Sequence, residues 1–307
     1  MKRKCAVPVL LVAALLLFFS MVFDAGAFAG ERLTQIADGV FAYVDTKNAA
    51  PANSFGANAG IIFGKERIAV VDTLVSAKEA RRFIRDIQIL NARVIRYVVN
   101  THSHLDHTFG NLEFKKIGAV IIAHENCKRN MEQNSETAMR NARAYGLTDK
   151  ELEGTEIIYP MVTFSDRMEL DLGDQPVELI YPGHTHTDDS IMVYVPNQKV
   201  LFTGDILFTN YYPNMRDSDV DRWIKVLDYI LTMDVEKIVP GHGPVSTKKD
   251  LQDMKDYLIA FDRKAKELCA QSSDLDYIVA ELKKALPQRA EMEMLIRSSL
   301  QKYVNSR

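Results

Sequence analysis

Cysteine is scarce in this chain, with three in 307 residues. The first belongs to an N-terminal segment of unusual composition. Cys127 and Cys269 lie in stretches of helical patterning, and neither has metal-ligand spacing around it. A cysteine-built metal site is therefore excluded. Two buried free thiols are expected, although an oxidising compartment would permit one bridge between them. No basic block occurs and the formal net charge is -3, which argues against a nucleic-acid partner. Internal repeats and low-complexity linkers are absent. What is present is ordinary globular material, 47% hydrophobic and 26% charged. The length allows one large domain or two modest ones, with core enough to fold without covalent staples.

Histidine is scarce too, which makes its placement informative. Three of the seven histidines fall within Asn100-Thr101-His102-Ser103-His104-Leu105-Asp106-His107. The apolar run Val94-Ile95-Arg96-Tyr97-Val98-Val99 precedes them and reads as a buried strand. On extended backbone, residues two apart point the same way, so His102 and His104 converge on one ion. Asp106 and His107 follow where the chain must turn, placed for a second ion. Imidazole and carboxylate donors suit zinc, and catalytic zinc sites keep a position open for water.

The N-terminus reads as a secretory signal. Lys2, Arg3 and Lys4 precede an apolar run from Cys5 to Phe23, and Ala27-Phe28-Ala29 follows as a small-residue cleavage site. Residues 1–29 are expected to be removed, in preference to serving as an uncleaved anchor. That loss takes away three basic groups and one acidic group and moves the net charge from -3 to -5, which suits a soluble periplasmic or secreted protein with no stable membrane span.

Residues 35–45 and 55–63 read as strands about the turn-rich stretch 46–53. Ile68 to Asp72 is a short buried strand ending in a carboxylate. Ser76 and Glu79 mark the start of a helix that runs to about Asn91. After the histidine cluster come a short helix from Phe109 to Lys116, a strand at 118–123 ending in His124, and a polar helix at 125–145. That helix carries too little apolar surface to be a core element and is expected to lie over the surface beside the site. Strands at 162–164, 167–170 and 177–181 read as one meander. Strands at 191–195 and 199–202 flank a Pro196-Asn197 turn, and Thr203-Gly204-Asp205 ends the second. A helix at 220–232 and a strand at 237–239 lead to Pro240-Gly241-His242-Gly243. From Lys248 the chain is helical, with breaks at Asp274 and Pro287. Each half runs from strands into strand–helix–strand and supplies candidate ligands at strand ends. That pattern suits an α+β fold of two face-to-face sheets with helices outside, an αββα sandwich over residues 30–247, followed by a C-terminal helical extension at 248–307.

His184, Asp205 and His242 each end an apolar run beside a glycine, which allows a sharp turn at a sheet rim. Together with the cluster they supply a full ligand set. The pattern His102-x-His104-x-Asp106-His107, then His184, Asp205 and His242, resembles the metallo-β-lactamase-fold hydrolase superfamily over about residues 35–245. The resemblance implies the αββα fold and two zinc ions, with iron or manganese as alternatives. It implies that His102, His104 and His184 hold the first ion, that Asp106, His107 and His242 hold the second, and that Asp205 bridges them. The best-studied lactamases carry cysteine where this chain has Asp205, so the site is more similar to glyoxalase II and the general hydrolase branch. Thr203-Gly204-Asp205 and Val239-Pro240-Gly241-His242-Gly243-Pro244 are similar to periplasmic proteins linked to quinoprotein systems.

The implied chemistry is hydrolysis by a metal-bridging hydroxide. Asp106 is expected to orient the water and pass its proton to the leaving group. The substrate would be a small molecule with a thioester, lactone, lactam or ester carbonyl. The alternative is an iron-dependent, persulfide dioxygenase-like oxidoreductase on the same fold. Asp72 is expected to hydrogen-bond a metal-binding histidine, with Thr101 in a similar part. His124 and His186 are expected to be structural or supporting. Tyr211, Tyr212 and Arg216, in the segment after Asp205, are candidate substrate contacts. The rim stretches 46–55, 125–155 and 206–218 would set specificity. The helical tail after Lys248 offers a face for a homo-oligomer.

Overall fold

Short apolar runs and the turns between them set the order of elements. The computed structural model describes residues 32–44, 50–290 and 293–305. The expected N-terminal signal segment and residues 46–49 of the expected 46–53 turn lie outside the described residues. The strands are β1 (Leu33–Ala37), β2 (Val40–Tyr43), β3 (Ala59–Phe63), β4 (Ile68–Val71), β5 (Ile95–Val99), β6 (Val120–His124), β7 (Val162–Phe164), β8 (Arg167–Asp171), β9 (Pro176–Ile180), β10 (Met192–Val195), β11 (Val200–Phe208) and β12 (Lys237–His242). The helices are α1 (Ala77–Leu90), α2 (Leu105–Thr108), α3 (Asn111–Lys116), α4 (Glu125–Ala144), α5 (Val220–Thr232), α6 (Lys248–Gln271), α7 (Leu275–Ala285) and α8 (Glu293–Asn305). Among the described residues no helix is long and apolar enough to cross a membrane.

One sheet has the order β1-β2-β3-β4-β5-β6-β7, and the other the order β12-β11-β10-β9-β8. The 162–181 stretch is not one meander, as its local pattern suggests. β7 closes the first sheet by pairing with β6, and β8 opens the second by pairing with β9. Side-chain alternation builds the layers. Val71, Val99 and Ile122 point inward to meet Val177, Val193, Val200 and Val239 of the second sheet. Their neighbours Val70, Val98 and Ile121 point outward against Phe83 and Ile87 of α1 and Phe114 of α3. Burying a side chain such as Phe83 fully contributes about 1.5–3 kcal/mol. The outer face of the second sheet packs on α5 through Trp223 and Leu227. The same apolar cluster takes in Leu251, Phe261, Ile278 and Leu300 of α6, α7 and α8. The result is the expected order of helix, sheet, sheet and helix, with C-terminal helices on the second sheet.

Local signals explain most element starts. Ser76 Oγ accepts a hydrogen bond from Glu79 N at 3.2 Å and caps α1. Asp274 Oδ1 accepts from Asp276 N and Tyr277 N and caps α7 after the expected break. α4 buries only Cys127, Met131 and Ala142. It lies over the surface, as its polarity implies. Cys127 and Cys269 are both buried and free.

Candidate metal centre

The carboxyl ends of β4, β5, β11 and β12 meet at one rim, where buried hydrogen bonds fix the loops. After β5, Asn100 and Asn111 exchange amide hydrogen bonds at 3.0 and 2.9 Å, tying the cluster loop to α3. Ser103 N donates to the buried Asp189 Oδ2 at 3.1 Å. Asp72 follows β4 with φ of 61°, a left-handed conformation that Asp tolerates better than most residues. Its carboxylate accepts from Thr101 N and Thr101 Oγ1, both at 2.7 Å. The second oxygen also faces His107 Nδ1 at 2.8 Å. Asp72 thus joins Thr101 to His107 through its two carboxylate oxygens. At β12, Asn58 Nδ2 donates to the carbonyls of Pro240 and Gly243, both at 2.8 Å, and pins the turn that carries His242.

Two groups of donor atoms gather at this rim. His102, His104, His186 and Asp205 form one, and Asp106, His107 and His242 form the other. Asp205 lies between them. Its Oδ2 is 3.3 Å from His186 Nε2 and 3.6 Å from His102 Nε2. Its Oδ1 is 3.2 Å from His107 Nε2 and 3.4 Å from His242 Nε2. Asp106 Oδ2 lies 3.4 Å from His242 Nε2 and 3.7 Å from His107 Nε2. His186 Nε2 is 3.1 Å from His104 Nδ1.

The third histidine of the first group is His186, not the expected His184. Gly183, with φ of 96°, turns the chain so that the His184 ring is partly exposed and its Nε2 meets the Asp217 carbonyl at 2.7 Å. His186 is 1% exposed and aims Nε2 into the cluster, while its Nδ1 donates to the Asn214 carbonyl at 2.8 Å. A glycine beside a histidine marks where the chain turns, and here it turns His184 away. The informative signal was the repeated His-x-His spacing of His184-Thr185-His186, which alone did not choose between the two. Asp205 also departs from expectation, because it does not end its strand. β11 runs on to Phe208, with register shifts against β12 on both sides of Gly204. His124 is structural: it stacks on Tyr181, ring centroids 3.8 Å apart, and its Nε2 meets the Ser165 carbonyl at 3.0 Å.

The donor set fits divalent metal. His102 Nε2, His107 Nε2 and Asp205 Oδ1 are buried without hydrogen-bond partners. Leaving such groups unpaired costs about 1–3 kcal/mol each, a penalty that a bound cation removes. Imidazole nitrogens with carboxylate oxygens are donors of intermediate softness, which zinc accepts and calcium does not favour. His102, His104 and His186 with Asp205 would hold one ion. Asp106, His107 and His242 with the other Asp205 oxygen would hold the second.

Charge is distributed unevenly in the metal-free site. Burial holds His102 well below the ordinary histidine value, with His107 beside it adding to the effect. Burial likewise lowers His186 to about 4. Burial also disfavours charge on His107, but Asp205, Asp106 and Asp72 outweigh it and lift the imidazole well above its usual value. Against the same burial, Asp205 and Asp106 raise His242 to about 9. Burial would raise Asp205, yet His242, His107 and His102 hold its carboxyl well below the usual range.

A cleft of about 720 Å³ opens over both groups. Phe55, Leu105, Phe109 and Tyr211 line it on apolar sides, and Asn130, Asn134, Thr137 and Asn141 of α4 present a polar wall. Of the candidate substrate contacts, Tyr211 and Arg216 line this cleft, and Arg216 is paired with Asp217 at 2.8 and 2.9 Å. Tyr212 also borders it but is buried, with its ring against Tyr257 and Phe261.

Fold and site together define a protein of two packed sheets with a histidine–aspartate cluster at the rim that could hold divalent metal. The chain belongs to the metallo-beta-lactamase superfamily, whose sequence model matches residues 53–242. It is similar to 2,4-dinitroanisole O-demethylase subunit alpha from Nocardioides sp. (strain JS1661), with 30% identity over 59% of this chain; the match spans 51%, about half, of that relative's length. It is 25% identical to metallo-beta-lactamase type 2 of Bacteroides fragilis over 69% of this chain and 78% of the relative. It is also 25% identical to acyl-coenzyme A thioesterase MBLAC2 of Bos taurus over 61% of this chain and 72% of the relative. Among solved structures, a metallo-beta-lactamase from Pontibacter korlensis shares the fold with a TM-score of 0.61 at 22% identity, covering 74% of this chain and 98% of that one.

Proposed function

We propose that this protein is an exported dinuclear zinc hydrolase acting on a thioester, lactone, lactam or ester carbonyl. The observation that carries this reading is the position of Asp205, with one carboxylate oxygen facing each histidine group. Zinc held there supplies Lewis acidity, which lowers the pKa of water from about 15.7 towards 7 and polarises a carbonyl. Asp106 lines the cleft, and its carboxylate would accept a hydrogen bond from the attacking water. That carboxylate would take the water's proton and deliver it to the departing oxygen, sulfur or nitrogen. Asp72 fixes the His107 tautomer by accepting its Nδ1 proton, leaving Nε2 to face Asp106 and Asp205. Phe55, Phe109 and Tyr211 seat the apolar part of the substrate. The named β-lactamase and acyl-coenzyme A thioesterase relatives support an acyl substrate.

Metal analysis of the mature protein, with a hydrolysis screen on a β-lactam, a lactone, S-lactoylglutathione and a phosphodiester, tests the reading. Two zinc per chain and turnover of one of the three acyl compounds are expected. A coloured, iron-loaded protein inert to all of them would replace it with the oxidoreductase alternative. Asp106→Asn should keep the fold and the first metal while lowering kcat by about 10²–10⁴-fold. Unchanged kcat would remove Asp106 from proton transfer.

A further inference from the structure

The segment from Thr209 to Ser218 carries Asn214, whose carbonyl holds the His186 ring at Nδ1. This segment belongs to neither sheet, and Asn210 enters it with φ of 65°. Contacts from the C-terminal helices hold it along its length. Ala290 N donates to the Asn210 carbonyl and Tyr212 N donates to the Ala290 carbonyl, both at 2.7 Å. Met215 N, next to Asn214, donates to Ser299 Oγ at 3.0 Å, and both residues are fully buried. Lys302 Nζ donates to Ser218 Oγ at 2.9 Å. Leu295, one turn before Ser299 on α8, also borders the cleft. The C-terminal extension, far from the ligands in sequence, therefore grips the segment that aims His186.

We propose that the C-terminal extension is part of the active site: through Ser299 it fixes the Asn214 carbonyl, and so keeps His186 aimed at the first metal position. Ser299 is a positioning residue. It touches neither metal nor substrate but sets the backbone that orients a ligand, as outer partners of metal-binding histidines do. Ser299 acts at the far end of the segment from the second group: Asp72 holds His107, while the β12 turn and Thr209 N, which donates to the His242 carbonyl at 2.9 Å, hold His242. The proposal rests on the metal reading of the site.

The test uses Ser299→Ala and Lys302→Met in the full chain, with Ile278→Val as a control that loosens the extension's core away from the segment. Zinc and cobalt(II) are titrated against a chelator. In metal-free protein labelled with ¹⁵N-histidine, solvent exchange of the His186 Nδ1 proton is followed. Ser299→Ala is expected to weaken one of the two metals by about tenfold and leave the other unchanged. It should also speed exchange at His186 alone, with Lys302→Met acting in the same direction. Wild-type affinity for both metals in Ser299→Ala, with unaltered exchange, would overturn the proposal. So would equal effects in Ile278→Val. If the wild-type protein takes up no metal, the metal reading fails, and the exchange measurement still decides whether Ser299 holds His186.

Discussion

Each buried imidazole of the centre that reaches an outer oxygen does so with one nitrogen and turns the other inward. His107 uses Asp72, His186 uses the Asn214 carbonyl, and His102 has Thr101 Oγ1 at 3.2 Å from Nδ1. This division fixes the aim of each ring before any ion arrives, and for His107 it leaves Nε2 as the nitrogen that exchanges its proton for an ion. It also separates His186 from His184, whose Nε2 is engaged with the Asp217 carbonyl on the outside of the rim. The expected outcome is a clean split between two substitutions two residues apart. His186→Ala should lose one bound metal per chain and nearly all turnover, whereas His184→Ala should keep both metals. Metal content after dialysis against a weak chelator measures it, and loss of metal from His184→Ala would refute the assignment. At this scale the sequence was legible in which residues meet more than in how they meet. His102 and His104 do fall in one group, although β5 ends at Val99 and residues 101–103 form a bend, not the extended strand that the period-two argument assumed. It failed at His184-Thr185-His186 because parity admits both rings, and only the Gly183 turn and the burial of His186 decide between them.

Strands and loops bring these residues together, and β11 shows how. Its nine residues are all buried, with Gly204 and Asp205 in the middle. A Gly-Asp pair ordinarily reads as a turn, so the strand's continuation to Phe208 was hidden in the sequence. A glycine inside a strand also marks a bulge or a close backbone approach, and both occur here. A side chain on Gly204 would put Cβ 2.5 Å from Thr101 Oγ1, and one on Gly241 would put it 2.0 Å from Asp205 Oδ1 and 2.7 Å from the Gly204 carbonyl carbon. β11 and β12 therefore approach closely at the bridging carboxylate, and only hydrogen fits between them. Gly241→Ala is expected to destabilise the protein by about 1–3 kcal/mol through overpacking. It should also displace Asp205 and lower metal stoichiometry below two. Urea midpoints with metal analysis check this, and a variant with full stoichiometry and unchanged midpoint would show that the approach is looser than described. The sheet assignment of β7 and β8 was illegible for a different reason. Alternation tells which face a residue points to, not which sheet its strand joins.

In the whole molecule, the centre is a set of buried charges whose cost depends on protonation. Stability rises with pH wherever the unfolded chain binds more protons than the folded one. In metal-free protein His186 titrates near 4, against about 6.5 when unfolded, and His102 is also held low. Between those values the unfolded chain carries the extra protons, so lowering the pH from 6.5 to about 4 costs stability. His242 behaves oppositely. Its folded value of about 9 gives stabilisation that is complete below 6.5 and is lost as pH rises through 9, and the raised His107 acts the same way. The carboxylates held low, Asp205 and Asp106, stay ionised in the folded protein across this range, while in the unfolded chain they begin to protonate near pH 4 and so steepen the acid end of the curve. The unfolding free energy of metal-stripped protein, read from urea midpoints, should therefore peak near pH 6.5 and fall on both sides, by an amount on the order of a few kcal/mol across each limb. His242→Gln should flatten the alkaline limb and spare the acid one. Metal loading should remove the alkaline limb as well, since an imidazole that ligates through one nitrogen is already neutral and has no imidazolium proton to lose. A metal-free protein whose stability climbs steadily from pH 6.5 to 9 would mean that the second group is not charged as its carboxylates require.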